Sequence, residues 1–130
     1  MSKFNQTIPE YTATVTKNIV ADGNITGAGK PVLVYKSSTG WKAKPVAALA
    51  NDDVLVGVQP GLSLASVATG ENGVVAIGGT VTLVASDGTT GQLITAIASG
   101  GACTTNTVAS AVGVLNVYGV KSAATTAYLF

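Results

Sequence analysis

Residues Gly29–Leu49 read "GKPVLVYKSSTGWKAKPVAAL": an apolar run, a Ser-Ser-Thr-Gly turn, and a second run opening on the only tryptophan of the chain. The first run is short and rich in β-branched residues, and small polar residues closing on a glycine supply a tight chain reversal. The stretch predicts a β-hairpin with strands at Pro31–Lys36 and Trp41–Lys44, in which Trp41 locks the base of the hairpin or a seam between subunits.

The same order of features recurs. Gly29–Gly61 reads "GKPVLVYKSSTGWKAKPVAALANDDVLVGVQPG" and Gly91–Gly119 reads "GQLITAIASGGACTTNTVASAVGVLNVYG". Each has a glycine, an apolar strand, a small-residue turn ending in glycine, a short second strand, a loop, and a strand containing Gly-Val. Gly29, Gly40 and Gly57 correspond to Gly91, Gly101 and Gly113. Neither unit buries its apolar face alone, so the pair predicts an all-β fold, a compact β-sandwich or small β-barrel built from two hairpin-like units. The expected organisation is an extended N-terminal arm over 1–20, a β domain over 21–120 with repeat units 29–61 and 91–119, and a C-terminal tail or last strand over 121–130.

Further strands are expected at Tyr11–Lys17, Val54–Gln59, Gly73–Ala76, Thr80–Ala85, Leu93–Ala96, Val112–Tyr118 and Ala127–Phe130. Asp22-Gly23, Asn72-Gly73 and Asp87-Gly88 mark turns. A helical turn is compatible only with Lys44–Asn51 and Leu62–Thr69.

Composition narrows the function. Only 10% of the residues are charged, where an ordinary globular chain has about 25%. Net charge is +1, from lysines without any arginine. A nucleic-acid surface needs a concentrated basic field and gains from guanidinium forks, so no nucleic-acid partner is expected. No charge occurs between Asp87 and Lys121. A surface of threonine, serine, glycine and small apolar residues is inexpensive to dehydrate against another protein, which points this half toward subunits or a large assembly.

Catalytic readings find no support. The chain has no histidine for general-base work, and no serine sits in a nucleophile elbow. Asp52 and Asp53 are adjacent, so on a strand they point to opposite faces. Cys103 alone makes neither an intrachain disulfide nor a multi-cysteine zinc site. "ITGAGKP" at Ile25–Pro31 lacks the spacing and the Lys-Ser/Thr ending of a phosphate loop. No enzyme activity, cofactor or metal is expected. Gly73–Ala85 is too short and glycine-rich to span a bilayer as a helix, so no membrane partner is expected.

Both termini carry apolar residues suited to reaching a neighbour. Phe4, Ile8 and Tyr11 are spaced along the arm, and the tail ends on Tyr128, Leu129 and Phe130. With Trp41 and Tyr118, the residues Phe4, Ile8, Tyr11, Tyr128 and Phe130 form the candidate set of subunit or partner contacts.

The succession "GKPVLV", "GWKAKPV", "NDDVLVGVQPG", "GENGVVAIGGTVTLVA" and "AVGVLNVYGV" resembles small decoration, or cement, proteins of tailed-bacteriophage capsids. The matching positions are Gly29, Pro31, Val32, Gly57, Val58, Gly73, Val75, Val81, Gly113 and Val114, within Thr26–Val120. The resemblance implies a β-rich structural protein on the outer capsid surface of the virion, assembled in the host cytoplasm. It also implies binding to the major capsid protein and a homo-oligomer, with a trimer favoured. The sequence departs from that pattern in having fewer acidic residues. The alternative is a carbohydrate-binding module or virion adhesion protein that stacks sugars on exposed aromatics, with Trp41, Tyr35 and Tyr118 as the platform.

Overall fold

The computed structural model describes residues 13–45, 48–49, 58–111 and 117–130. The strands are β1 (Thr14–Ala21), β2 (Pro31–Ser37), β3 (Gly40–Pro45), β4 (Ala48–Leu49), β5 (Val58–Ser63), β6 (Asn72–Thr82), β7 (Leu93–Ala98), β8 (Cys103–Asn106), β9 (Gly119–Ala123) and β10 (Thr126–Leu129). A single helical turn, α1 (Val108–Ala111), follows β8. Thr107 caps it, its Oγ1 accepting from the Ser110 amide at 3.2 Å, which satisfies one of the amides a helix start leaves open.

Five strands close a barrel in the order β1-β3-β2-β5-β6, with β6 returning to β1. The β1–β3 pair is parallel, Val20 opposite Lys42, and the other pairs are antiparallel. From β6 the sheet continues through β10 and β9 to β7, which β8 and β4 flank. The chain is therefore all-β, and of the two architectures expected it builds the barrel, with extra strands outside it.

The alternation of side chains explains why β2 reads as an unbroken apolar run. Val32 and Val34 point into the bore with Ile19, Ala21, Ala43 and Val75. Leu33 points the other way and packs with Leu62, Ala76, Ile94, Ile97 and Leu129 against the outer strands. A strand buried on both faces has no polar side to display. Ile25 and Val67 form an isolated bridge and join the bore cluster.

Three expectations change. The segment Thr14–Val20, assigned to the extended arm, is barrel wall, because Lys17, Ile19 and Ala21 continue the inward-facing alternation of a strand hydrogen-bonded on both edges. The strands expected at Gly73–Ala76 and Thr80–Ala85 are one strand, β6. Gly78-Gly79 reads as a break, yet Gly79 (φ +76°) sits beside a bulge where the register with β1 shifts at Val15/Thr16. The bulge bends β6 without ending it, so one edge runs along β1 while the other serves β5 and then β10. No helical turn occurs in the described residues of Leu62–Thr69 and Lys44–Asn51, the two segments compatible with one, and the turn that does form, α1 at Val108–Ala111, lies in neither. Most of Val112–Tyr118 and of Val54–Gln59 lies outside the described residues.

The two segments aligned in the sequence share their pairing. Pro31 and Val32 face Leu62 and Gly61, and Leu93 and Ile94 face Val120 and Gly119 in the same register. Gly29 donates to the Ser63 carbonyl (2.9 Å), and Gly91 donates to the Lys121 carbonyl (2.7 Å). Both glycines have positive φ, +75° and +88°, which side-chain-bearing residues rarely adopt.

Candidate interaction surface

Charge divides the described surface in two. The barrel unit carries Lys17, Asp22, Lys30, Lys36, Lys42, Lys44 and Glu71, all exposed or half-buried. Past β6 only Asp87 and Lys121 are charged among the described residues. Lys121 is 1% exposed, its Nζ donating to the carbonyls of Ser86 (2.8 Å), Asp87 and Gly88 (3.3 Å). Three acceptors satisfy all three protons of the ammonium, which is how its burial is offset. The Asp87 Oδ1, by contrast, is buried without a hydrogen-bond partner.

Lys121 occupies the position of Ser63 in the first unit. The Ser63 hydroxyl, buried as well, donates to the Gly27 carbonyl and accepts from the Lys30 amide at 3.3 Å. In each unit a buried polar side chain thus ties down the loop before the opening glycine, with the longer lysine reaching a turn centred on Asp87. The sequence signal was available: Lys121 is the first charge after a long neutral stretch and lies two residues from Gly119, but its burial was not anticipated.

With Lys121 withdrawn, the outer unit shows solvent neutral side chains: Thr89, Thr90, Ser99, Thr104, Thr107 and Ser110 are exposed, with alanines and glycines between them. Four apolar side chains stand out of this field among the described residues, Val84 (52% exposed), Val108 (73%), Tyr128 (40%) and Phe130 (65%). Phe130 also rims a cavity of about 200 Å³ between the barrel and the outer strands, whose lining includes Gln59, Pro60, Ile77, Ile97 and Tyr118. The Phe130 amide donates to the Tyr118 carbonyl at 3.0 Å, fixing the end of the chain.

Of the candidate contact residues, Tyr128 and Phe130 are thus brought onto the neutral unit. Tyr118 lies near Phe130 but is a core residue, 6% exposed, packed with Ile94, Ile97 and Leu129. Phe4, Ile8 and Tyr11 lie outside the described residues. Trp41 is exposed on the barrel, away from the outer strands. Lys17 and Lys36 hold their ammonium groups 4.0 and 5.5 Å from its ring centroid, an arrangement the ring's negative face favours. Tyr35 does not share that face: it lies opposite Lys42, while Trp41 lies opposite Lys36. The Tyr35 hydroxyl donates to Asp22 Oδ2. This hydrogen bond, with desolvation and the charge of Asp22, raises the phenol above its ordinary value.

Cys103 is buried as a thiol in the outer core. Desolvation and the nearby charge of Asp87 raise its pKa, and Lys121 opposes them. A raised pKa suppresses the thiolate and with it nucleophilicity. Among the described residues no group of three His, Cys, Asp or Glu side chains could hold a metal ion. No family model, curated protein or solved structure matches the chain.

Proposed function

We propose that the protein is a structural decoration module that binds the outer surface of a tailed-bacteriophage head and stabilises contacts between major capsid protein subunits. The observation that carries this reading is the scarcity of charge on the outer unit, where among the described residues past β6 only Asp87, half-buried, and Lys121, buried, are charged. The hydroxyls and methyls there give up water at little cost, and Val108, Tyr128 and Phe130 supply the apolar anchors around which an interface is organised. The resemblance of the sequence pattern to decoration proteins supports a phage capsid as the lattice. A small homo-oligomer, a trimer in the favoured form, places several copies of the face against neighbouring subunits, so modest individual contacts multiply into firm attachment on the virion.

The sugar-binding alternative is the weaker reading. Tyr118 is buried, Tyr35 and Trp41 occupy opposite faces of the β2–β3 hairpin, and the Trp41 ring is already attended by two lysines. The test is cosedimentation with undecorated tailed-phage heads, scored for saturation against the capsid protein. The paired change Tyr128→Lys and Phe130→Lys should weaken binding by about tenfold or more, as expected for loss of central aromatic anchors. Failure to sediment with heads, together with saturable glycan binding that Trp41→Ala abolishes, would replace this reading with the alternative.

A further inference from the structure

We infer that the Trp41 end of the barrel is a second interaction surface, built to take an acidic segment of a protein partner. It stands apart from the neutral unit and does not depend on what that unit binds. Trp41 is 37% exposed, although an indole of this size is normally drawn further into the fold. Strand alternation places Trp41, Lys36 and Lys17 on the inward-facing side, at the end of the barrel where the β2–β3 hairpin turns. They gather over the mouth of the bore instead of entering it. Both ammonium groups converge on the same ring, and no carboxylate forms an ion pair with either among the described residues. Two like charges held beside one ring repel each other, and a carboxylate arriving between them would remove that repulsion.

The surface adjoining the cluster favours a peptide. On the outward face of the same wall a groove runs across β1 to the start of β6, with Asn18, Val20, Lys42, Asn72 and Val74 along it, and it meets the cluster at the rim, where Trp41 borders the groove. Val74 is 39% exposed. Amide side chains there offer hydrogen bonds to a peptide backbone and the valines take aliphatic stems, and a segment that crosses the rim meets Lys42 on the outward face and Lys17 and Lys36 beside the indole on the inward one. A nucleic-acid strand would ask for several stacking rings and a longer basic track. The groove has one tryptophan, and its cations are lysines without the bidentate fork of arginine.

Trp41 reports on its own site, because it is the only tryptophan of the chain. A short peptide alternating glutamate with alanine is titrated into the full-length protein while indole emission is followed. The expected result is a saturable change whose affinity falls about tenfold or more when salt is raised from about 20 to about 500 mM, as screening of exposed charge requires. The double variant Lys17→Gln/Lys36→Gln should lose the binding while keeping the wild-type urea midpoint. The proposal is overturned by the absence of a saturable change, or by equal affinity in the double variant. It is overturned also if a single-stranded oligonucleotide or a sulfated polysaccharide binds more tightly than the peptide, which would make the cluster a general polyanion site.

Discussion

Replacing Lys121 by methionine preserves most of the aliphatic stem and deletes the ammonium, leaving the Ser86, Asp87 and Gly88 carbonyls without their common donor. A hydrogen bond to a charged group contributes roughly 1.5–3 kcal/mol, and an unmet buried acceptor costs about 1–3 kcal/mol. The variant no longer desolvates a cation, which offsets several kcal/mol of that loss. The Gly88 contact is long at 3.3 Å, so the two shorter contacts set the scale. The net expectation is a destabilisation of about 2–4 kcal/mol, or a fall in Tm of about 10 °C. Urea unfolding followed by Trp41 emission measures it. Amide exchange supplies a local readout at Thr89, which donates to Thr105 Oγ1 at 2.8 Å, and at Gly91, which donates to the Lys121 carbonyl at 2.7 Å. Lys44→Met, at an exposed lysine, is the matched control and should lie within about 0.5 kcal/mol of wild type. A Lys121→Met variant as stable as this control, with unchanged exchange at Thr89, would refute the claim that the ammonium holds the Ser86–Gly88 turn.

Two further expectations follow from close approach and from titration. A Cβ on Gly119 would meet the Tyr128 carbonyl oxygen at 2.1 Å, within paired backbone that cannot step aside, whereas one on Gly100 meets nothing within 4 Å. Gly119→Ala should therefore lose about 3 kcal/mol or fail to fold, while Gly100→Ala should be neutral or gain up to about 1 kcal/mol through the unfolded chain; similar urea midpoints for the two would contradict this. Because the Tyr35 pKa is raised above 10.0 in the folded protein, the unfolded chain releases that proton first on raising the pH. The stabilisation is complete below about pH 10 and is lost as the pH climbs through the native value. Phenolate absorbance, referenced to Tyr35→Phe, should show Asp22→Asn bringing this titration back toward 10.0, and an unshifted curve would remove Asp22 as the cause.

What the sequence made legible was local and periodic. Val32, Leu33 and Val34 identify a strand buried on both faces, and Ser38-Thr39-Gly40 identifies its hairpin. The recurrence of glycines at Gly29 and Gly91 pointed to two units whose first strands pair in one register. What it hid depends on neighbours distant along the chain. A strand was legible at Tyr11–Lys17, but "TVTKNIVA" at Thr14–Ala21 does not by itself place that strand in the barrel wall and not in an arm, which β3 and β6 on its two edges decide. Gly78-Gly79 looks like an end, because a glycine that stops a strand and one that bends it have the same spelling. For the site, the exposure of Tyr128 and Phe130 agreed with their place at the terminus, but Tyr118 gave no sign that it would be interior. The Lys17–Trp41–Lys36 cluster was invisible for the same reason as the place of β1 in the wall: Lys17 reaches Trp41 only once the barrel has closed.

The bend in β6 has a consequence for how the molecule can come apart. Asn72–Thr82 is hydrogen-bonded to β1 and β5 over its first part and to β10 beyond Gly78, so neither half owns a complete set of strands. A break there removes a wall from both cores at once. The protein should melt in one cooperative step, and proteolysis should yield no folded half-molecule. That behaviour suits the proposed role of a clamp, which either holds with its whole structure or releases, with no half-folded state to loosen gradually under strain.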